Sequence, residues 1–379
     1  MNHKLFMEDC VYVANRIYFF SKDWNGLFVT DIESGETRLL STIPEEEVLA
    51  GRLCAGIMHF NGKLVLMPMH ARKIWIYDLE NDQWRGIERE YMANGDLYKE
   101  IFRAVAYRNN FFLIGSNYPA IIKMNIDTLE IEYWTEPYKF LLSTKSKRDG
   151  FFRCDFLLKN NELFLASCIN NYVLRLNLDS SDFIWCEVGE KNFRYSGITW
   201  DGEFYWLSPR TGTPIVKWDG KKDVEYFPLP ERYDNATNNF LGVQYNNGRL
   251  VFPGMLQKYT LVLNPRAPYD MEECEGQYLF YRCDDEGRVF SQSVDGLLQF
   301  KDSKSNKQYD IYCEIAQEYI MNYLTNEHKN RSCGRMGGEI KKESVPLFLP
   351  LYITLLNNDD MSKDMESGVG EEIWETIRS

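Results

Sequence analysis

One pattern constrains this chain more than any other: a short, mostly apolar segment closed by Asp or Asn, written seven times. The segments read LFVTD, IWIYD, IIKMN, VLRLN, IVKWD, TLVLN and LQFKD, and they close on Asp31, Asp78, Asn125, Asn177, Asp219, Asn264 and Asp302. Successive closing residues are 47, 47, 52, 42, 45 and 38 positions apart. A second marker keeps step with the first. Asn15, Asn61, Asn109, Asn160, Asp201, Asn247 and Asp285 stand 16 to 18 residues upstream of them and precede apolar runs such as KLVLMP, FFLIGS, ELFLAS, EFYWLS and RLVFPG. Two markers in register over seven copies define a repeat architecture.

The chemistry of each marker gives the repeat its internal structure. Asn-Gly, Asn-Asn and Asp-Gly pairs tolerate positive φ and close tight hairpins. An Asx at a strand end accepts hydrogen bonds from backbone two residues on and begins the next turn. Each copy therefore reads as strand A, tight turn, strand B, loop, strand C, Asx turn, strand D. A four-stranded sheet of this size cannot bury both faces alone but can do so when stacked radially against copies of itself. The expectation is an all-β, seven-bladed β-propeller of four-stranded blades. A six-bladed ring is the alternative, because the seventh copy, RVFSQSVDG, leaves little room for a B–C loop. The body spans residues 1–315, with a partly helical C-terminal tail over 316–379.

The segments IWIYDLENDQWRGI (Ile74 to Ile87) and MNIDTLEIEYW (Met124 to Trp134) resemble the strand C, turn, strand D unit of kelch-like propellers, with Trp84, Trp134 and Trp185 following the Asx turn. The resemblance covers residues 7 to 315 and implies architecture only. The double glycine that kelch repeats carry at the end of strand B is replaced by Pro68, Gly115, Ser167, Ser208 and Pro253.

Charge and cysteine usage narrow the partners. A net charge of −13 repels phosphate backbones, so no nucleic-acid partner is expected. No apolar run is long enough to insert in a membrane, and Glu8 and Asp9 interrupt the place where a signal peptide would be apolar. Nine scattered cysteines without a CxxC pair fit reduced thiols, which places the chain in the cytoplasm. In the tail, Ile315, Ile320, Tyr323 and Leu324 have helical spacing. Ile373, Trp374 and Ile377 are candidate anchors of a segment that docks a partner.

Catalytic signatures are scarce. The sequence has no phosphate loop and no nucleophile elbow, its histidines lack a third ligand, and neither metal nor cofactor is expected. One constellation recurs instead. Arg52, Arg103, Arg153 and Arg194 are expected just before strand A in four blades, three of them after Phe102, Phe152 and Phe193. In a propeller that position faces the mouth of the central channel, on the face where the B–C loops add Lys22, His70, Arg72, Arg210 and Lys258. Long D–A connections at 88–103, 136–153 and 228–240 crowd the same face, which marks a binding face. Trp24, Tyr118, Tyr172 and Tyr233 are candidate stacking aromatics.

The candidate ligand-binding set is thus Arg52, Arg72, Arg103, Arg153, Arg194, Arg210 and His70, and its partner is an anionic small molecule, glycan or protein. Two function classes follow. One is a non-catalytic binding or scaffold propeller that holds an anionic group on this face. The other is a carbohydrate-active enzyme, a lyase, hydrolase or epimerase on an acidic sugar, with Asp155 and Tyr195 as nominees for acid and base.

Overall fold

The computed structural model describes residues 2–46, 50–90, 100–144, 150–153, 155–222, 224–233, 239–284, 286–302, 304–316 and 318–319. Seven four-stranded antiparallel sheets follow one another along the chain, at Met7–Ser41, Cys54–Ile87, Ile101–Trp134, Leu157–Glu187, Tyr195–Phe227, Gln244–Glu275 and Tyr278–Tyr312. Within every sheet the spatial order of strands is their order in the chain, the meander of a propeller blade. The fold is a seven-bladed β-propeller, and the seventh repeat, in doubt from its sequence, forms a complete blade.

The chain divides into two compact units. Unit one takes Met1–Glu90, Gly296–Leu298 and the segment from Tyr309; unit two takes Tyr91–Asp295 and Gln299–Gln308. Blades 1 and 2 belong to the first unit, and blades 3 to 6 with the first two strands of blade 7 to the second.

Burial explains the strand sequences. The second strands Lys63–Pro68, Asn110–Gly115 and Glu162–Ala166 are buried at every position after the first, as an unbroken apolar run requires when both sheet faces are covered. Fourth strands such as Gln83–Ile87 are half-exposed or exposed throughout and tolerate polar residues.

Every Asx position acts as its chemistry dictates. In all seven blades the side-chain Oδ1 of Asp31, Asp78, Asn125, Asn177, Asp219, Asn264 or Asp302 accepts the backbone N–H two residues on, at 2.7 to 3.1 Å. In the first four it also accepts the N–H three residues on. Asn15, Asn61, Asn160 and Asn247 have positive φ, as their hairpins demand. In blade 3 the left-handed residue is Arg108 rather than Asn109, while Asp285 lies outside the described residues.

Two further features position the starts of the first strands. A backbone N–H there bonds a carbonyl in the B–C turn of the preceding blade. Arg52 bonds Lys22 at 2.8 Å in unit one; Phe151 bonds Ser116 at 2.7 Å, Tyr195 bonds Ser167 at 3.0 Å and Tyr278 bonds Gly254 at 2.9 Å in unit two. The register also slips just inside that start in five blades, between Met7 and Cys10, Cys54 and Gly56, Ile101 and Arg103, Tyr195 and Gly197, and Tyr278 and Phe280. A bulge of this kind re-aims a side chain.

Two sequence expectations are corrected. Helix is not confined to the tail, because Glu136–Thr144 is an α-helix in the connection after blade 3. Pro137 suits a first helical turn, and buried Tyr138 and Leu141 hold the helix down, with Tyr138 Oη donating to the Gly115 carbonyl at 3.0 Å. Ile315 is not helical either. It sits in the strand Glu314–Ala316, which pairs antiparallel with Asn2–Lys4; buried Ile315 and Cys313 follow the period of two of a strand. Ile320, Tyr323, Leu324, Ile373, Trp374 and Ile377 lie outside the described residues.

Candidate functional site

Unit one holds three of the seven nominated residues. Arg52 has a positive φ of 53° and its Nε lies 3.4 Å from Glu8 Oε1. His70 is half-buried in the B–C turn and bonds the Leu53 carbonyl through its backbone N–H. Arg72 is exposed, and its backbone N–H donates to buried Glu46 at 2.7 Å. Burial pushes the Glu46 carboxyl above its usual range, against the Arg72 N–H and charge that pull it down.

Unit two holds the other four. Arg210 is buried and Nη1 donates to the Cys168 carbonyl at 2.7 Å, a latch between the turns of blades 5 and 4. Arg194 is exposed, its carbonyl engaged by the Arg210 N–H. Arg153 is half-buried, just ahead of the first strand of blade 4. Arg103 lies inside the first strand of blade 3 rather than before it, one residue past the bulge and opposite Ile114.

Around Asp155, two residues after Arg153, five blades meet. Its Oδ2 accepts the Val243 N–H at 2.9 Å, so a carboxylate from blade 4 reaches the residue just ahead of the first strand of blade 6. The intervening space is kept clear by two glycines. A Cβ on Gly197 of blade 5 would stand 3.0 Å from the Asp155 Cβ, and a Cβ on Gly242 would fall 1.8 Å from Oδ2. Gly242 also has a φ of +148°, which a side chain would oppose. The Gln244 side chain of blade 6 bonds the carboxyl, and the guanidiniums of Arg103 in blade 3 and Arg282 in blade 7 act on its charge.

These influences compete. Crowding by protein strips water from the carboxyl and pushes it up to about 7, while Arg103, Gln244, the Val243 N–H and Arg282 pull it back. Asp155 keeps some exposed surface as a residue, but its carboxyl lies deep among protein atoms. A carboxyl held near neutrality by burial beside charged groups is a frequent property of functional sites.

The other acid–base nominee is placed differently. Tyr195 is fully buried, its hydroxyl donating to the Val188 carbonyl at 2.6 Å, and burial raises its pKa further. Trp24, Tyr118 and Tyr233 are likewise buried in packing and offer no stacking face; half-buried Tyr172 packs edge-on against Phe140.

Sequence reasoning overlooked Arg282 and the glycines. Arg282 lies five residues into its strand (Tyr278–Cys283), outside the position shared by the other arginines. The glycines did leave a signal: Ala55-Gly56-Ile57, Ser196-Gly197-Ile198 and Leu241-Gly242-Val243 put Gly before a β-branched residue at the start of three blades.

No family model matches the chain, and no curated protein matches it in sequence. Solved structures match in fold. Virginiamycin B lyase from Staphylococcus aureus superposes with a TM-score of 0.57 at 13% identity, over 77% of this chain and 95% of its own. A chain of the mitotic checkpoint complex gives 0.55 at 10% identity, over 82% and 91%. BamB from Moraxella catarrhalis gives 0.51 at 11% identity, over 79% and 98%. At these identities the likeness concerns the fold alone. Among the described residues no helix is long and apolar enough to cross a membrane.

Proposed function

We propose that this propeller is a binding protein whose second unit receives an anionic group at the starts of its first strands. One observation carries the reading: the Asp155 carboxyl, bonded to the Val243 N–H across the slot left by Gly197 and Gly242, feels the charges of both Arg103 and Arg282. Arg153 lies two residues upstream of Asp155, and Arg194 three residues upstream of Gly197, which abuts it. In a chain of net charge −13, two arginines acting on one carboxyl, with Arg153 and Arg194 close in sequence to it and to its neighbour Gly197, favour a local reversal of sign. Arginine's planar fork recognises carboxylate, sulfate or phosphate through paired charge-assisted bonds. Arg210 belongs to the scaffold of this site through its bond to Cys168. Arg52, His70 and Arg72 are kept as candidates for a separate contact surface on unit one. The ligand is an anionic small molecule, an acidic glycan or an acidic segment of a protein partner, in keeping with a kelch-like interaction propeller of the cytoplasm.

The structural neighbours include a lyase by name and a member of a checkpoint assembly, so fold does not choose between catalysis and binding. The position of the Asp155 carboxyl near neutrality favours, as a second reading, a general acid acting on an acidic sugar. Tyr195, bonded to Val188, offers that reading no partner.

Calorimetric titration of the full chain with sulfate at pH 6 and low salt tests the proposal. Binding should weaken as sodium chloride rises, because the contact is ionic, and the Arg153→Ala/Arg194→Ala double variant should lose it while melting as the parent does. Absence of sulfate binding by the parent protein would sink the reading.

A further inference from the structure

The outer strand of blade 6 is longer than its counterparts. Ala267–Glu275 runs for nine residues, where the other outer strands have four to six. The surplus sits at one place. Leu263 faces Met271 and the next residue, Asn264, faces Ala267, so Pro268, Tyr269 and Asp270 arch out of the pairing. A bulge re-aims side chains and is a built feature rather than a defect. This one brings the Tyr269 ring, 76% exposed, edge-on to buried Phe227 of blade 5, with 5.2 Å between centroids. Between the arch and the blade 5 hairpin at 201–204 runs an open groove of about 1140 Å³. Both blades belong to unit two, and these turns lie at the other end of the blades from the strand starts that carry the arginines.

The polar groups lining the groove fall into two sets. One is already engaged. Lys217 pairs with Glu225 at 3.0 Å and lies 4.0 Å from the centre of the Phe204 ring. Asp201 accepts the Glu203 and Phe204 N–H groups at 2.8 and 2.7 Å and the Trp206 indole N–H at 2.7 Å. The other set is exposed: the Tyr269 ring, Glu203 and Arg266. One negative group and one positive group beside an aromatic face select against a strongly charged ligand, which one of the two would repel. They suit a sugar, whose C–H face packs on an aromatic ring and whose hydroxyls donate to a carboxylate and accept from a guanidinium. The volume favours several sugar rings, since single small ligands occupy roughly 300–1,000 Å³. A peptide strand would instead extend the sheet edge through a regular row of backbone groups, and the arch interrupts that row here. We propose that the groove between blades 5 and 6 binds a chain of neutral sugars, with Tyr269 as the stacking platform and Glu203 and Arg266 as partners of the hydroxyls.

Maltohexaose, cellohexaose and xylohexaose are the probes, titrated calorimetrically into the full chain. At least one should bind. Because the ligand is uncharged, its affinity should be the same at low and high sodium chloride and in the presence of sulfate. Tyr269→Ala should weaken binding about tenfold, and Arg266→Gln and Glu203→Gln about fivefold each. All three side chains are exposed, so the variants should melt as the parent does. Should Tyr269→Ala melt lower, the other two variants, which leave the ring in place, still carry the test.

Each contrary result overturns the proposal. If none of the three hexasaccharides binds, the groove is not a site for neutral sugars. Binding that is unchanged in Arg266→Gln and Glu203→Gln would put the sugar elsewhere on the chain. Binding that fades as salt rises would make the contact ionic. Capture of decaproline in place of the hexasaccharides would assign the groove to a protein segment.

Discussion

Both units use a carboxylate to tie the start of one blade to that of another, and they differ in how far it reaches. In unit one, Asp9 of blade 1 accepts the Ile57 N–H of the next blade at 3.2 Å, while neighbouring Glu8 pairs with Lys22 at 3.1 Å and Arg52 at 3.4 Å. In unit two, Asp155 of blade 4 bypasses blade 5 and bonds Val243 of blade 6 at 2.9 Å. The longer reach is open only because Gly197 and Gly242 leave a slot, and the slot strips the carboxyl of water. The same bond thus serves as a fastener between adjacent blades in one unit and as a charge under tension in the other.

Filling the slot should have the largest effect. Gly242→Ala combines a Cβ 1.8 Å from Oδ2 with a φ of +148°, and should destabilise the fold by about 4 kcal/mol or prevent folding. Gly62→Ala in unit one also sits at positive φ, +73°, yet nothing lies within 4 Å of its added Cβ, so it should lose only about 1 kcal/mol. Denaturant melts compare the two. Combining Gly242→Ala with Asp155→Ala should recover part of the loss, and equal losses for the two single variants would show that the slot is not tight.

A smaller effect distinguishes the carboxyl itself. Folded Asp155 keeps its proton up to about pH 7, whereas an unfolded aspartate releases it near pH ~4. The folded state therefore binds the extra proton between these values, and ionisation costs stability that is absent below pH ~4, grows through the interval and is complete above about 7. Asp155→Asn should consequently melt higher than the parent at pH 8, by the equivalent of about 2 kcal/mol once partial exposure is allowed for, with the gain vanishing toward pH 4. A variant that is less stable at pH 8 would mean that the ionised carboxylate is a net fastener, as in unit one.

The smallest effect belongs to unit one. Glu8→Gln weakens two ion pairs whose members keep 12 to 30% of their side-chain surface. It should cost about 0.5 kcal/mol and less at high salt. A loss above about 2 kcal/mol would indicate that this strand start is as crowded as the one at Asp155.

The blades were legible because their signals are local. An Asx side chain meets the N–H groups two and three residues on, and a left-handed Asn closes a hairpin within four residues, so spacing alone gave seven blades and the order of strands. The unbroken apolar runs marked the second strands for the same reason, since burial on both faces is written into a few consecutive residues. Only part of the arginine pattern carried over. Arg52, Arg153 and Arg194 do precede first strands, but sequence could not say that Arg52 faces Glu8 or that Arg210 is spent on the Cys168 carbonyl. The helix at Glu136–Thr144 was hidden in a connection whose length, not its composition, had attracted notice. What tertiary structure alone decided is the neighbourhood of Asp155. Arg103, Gly197, Val243 and Arg282 come from four other blades, and radial stacking brings them to one carboxyl. Which side chains share a slot, and hence how much water and opposing charge each one sees, depends on the registry between blades, a long-range property that no local spacing encodes.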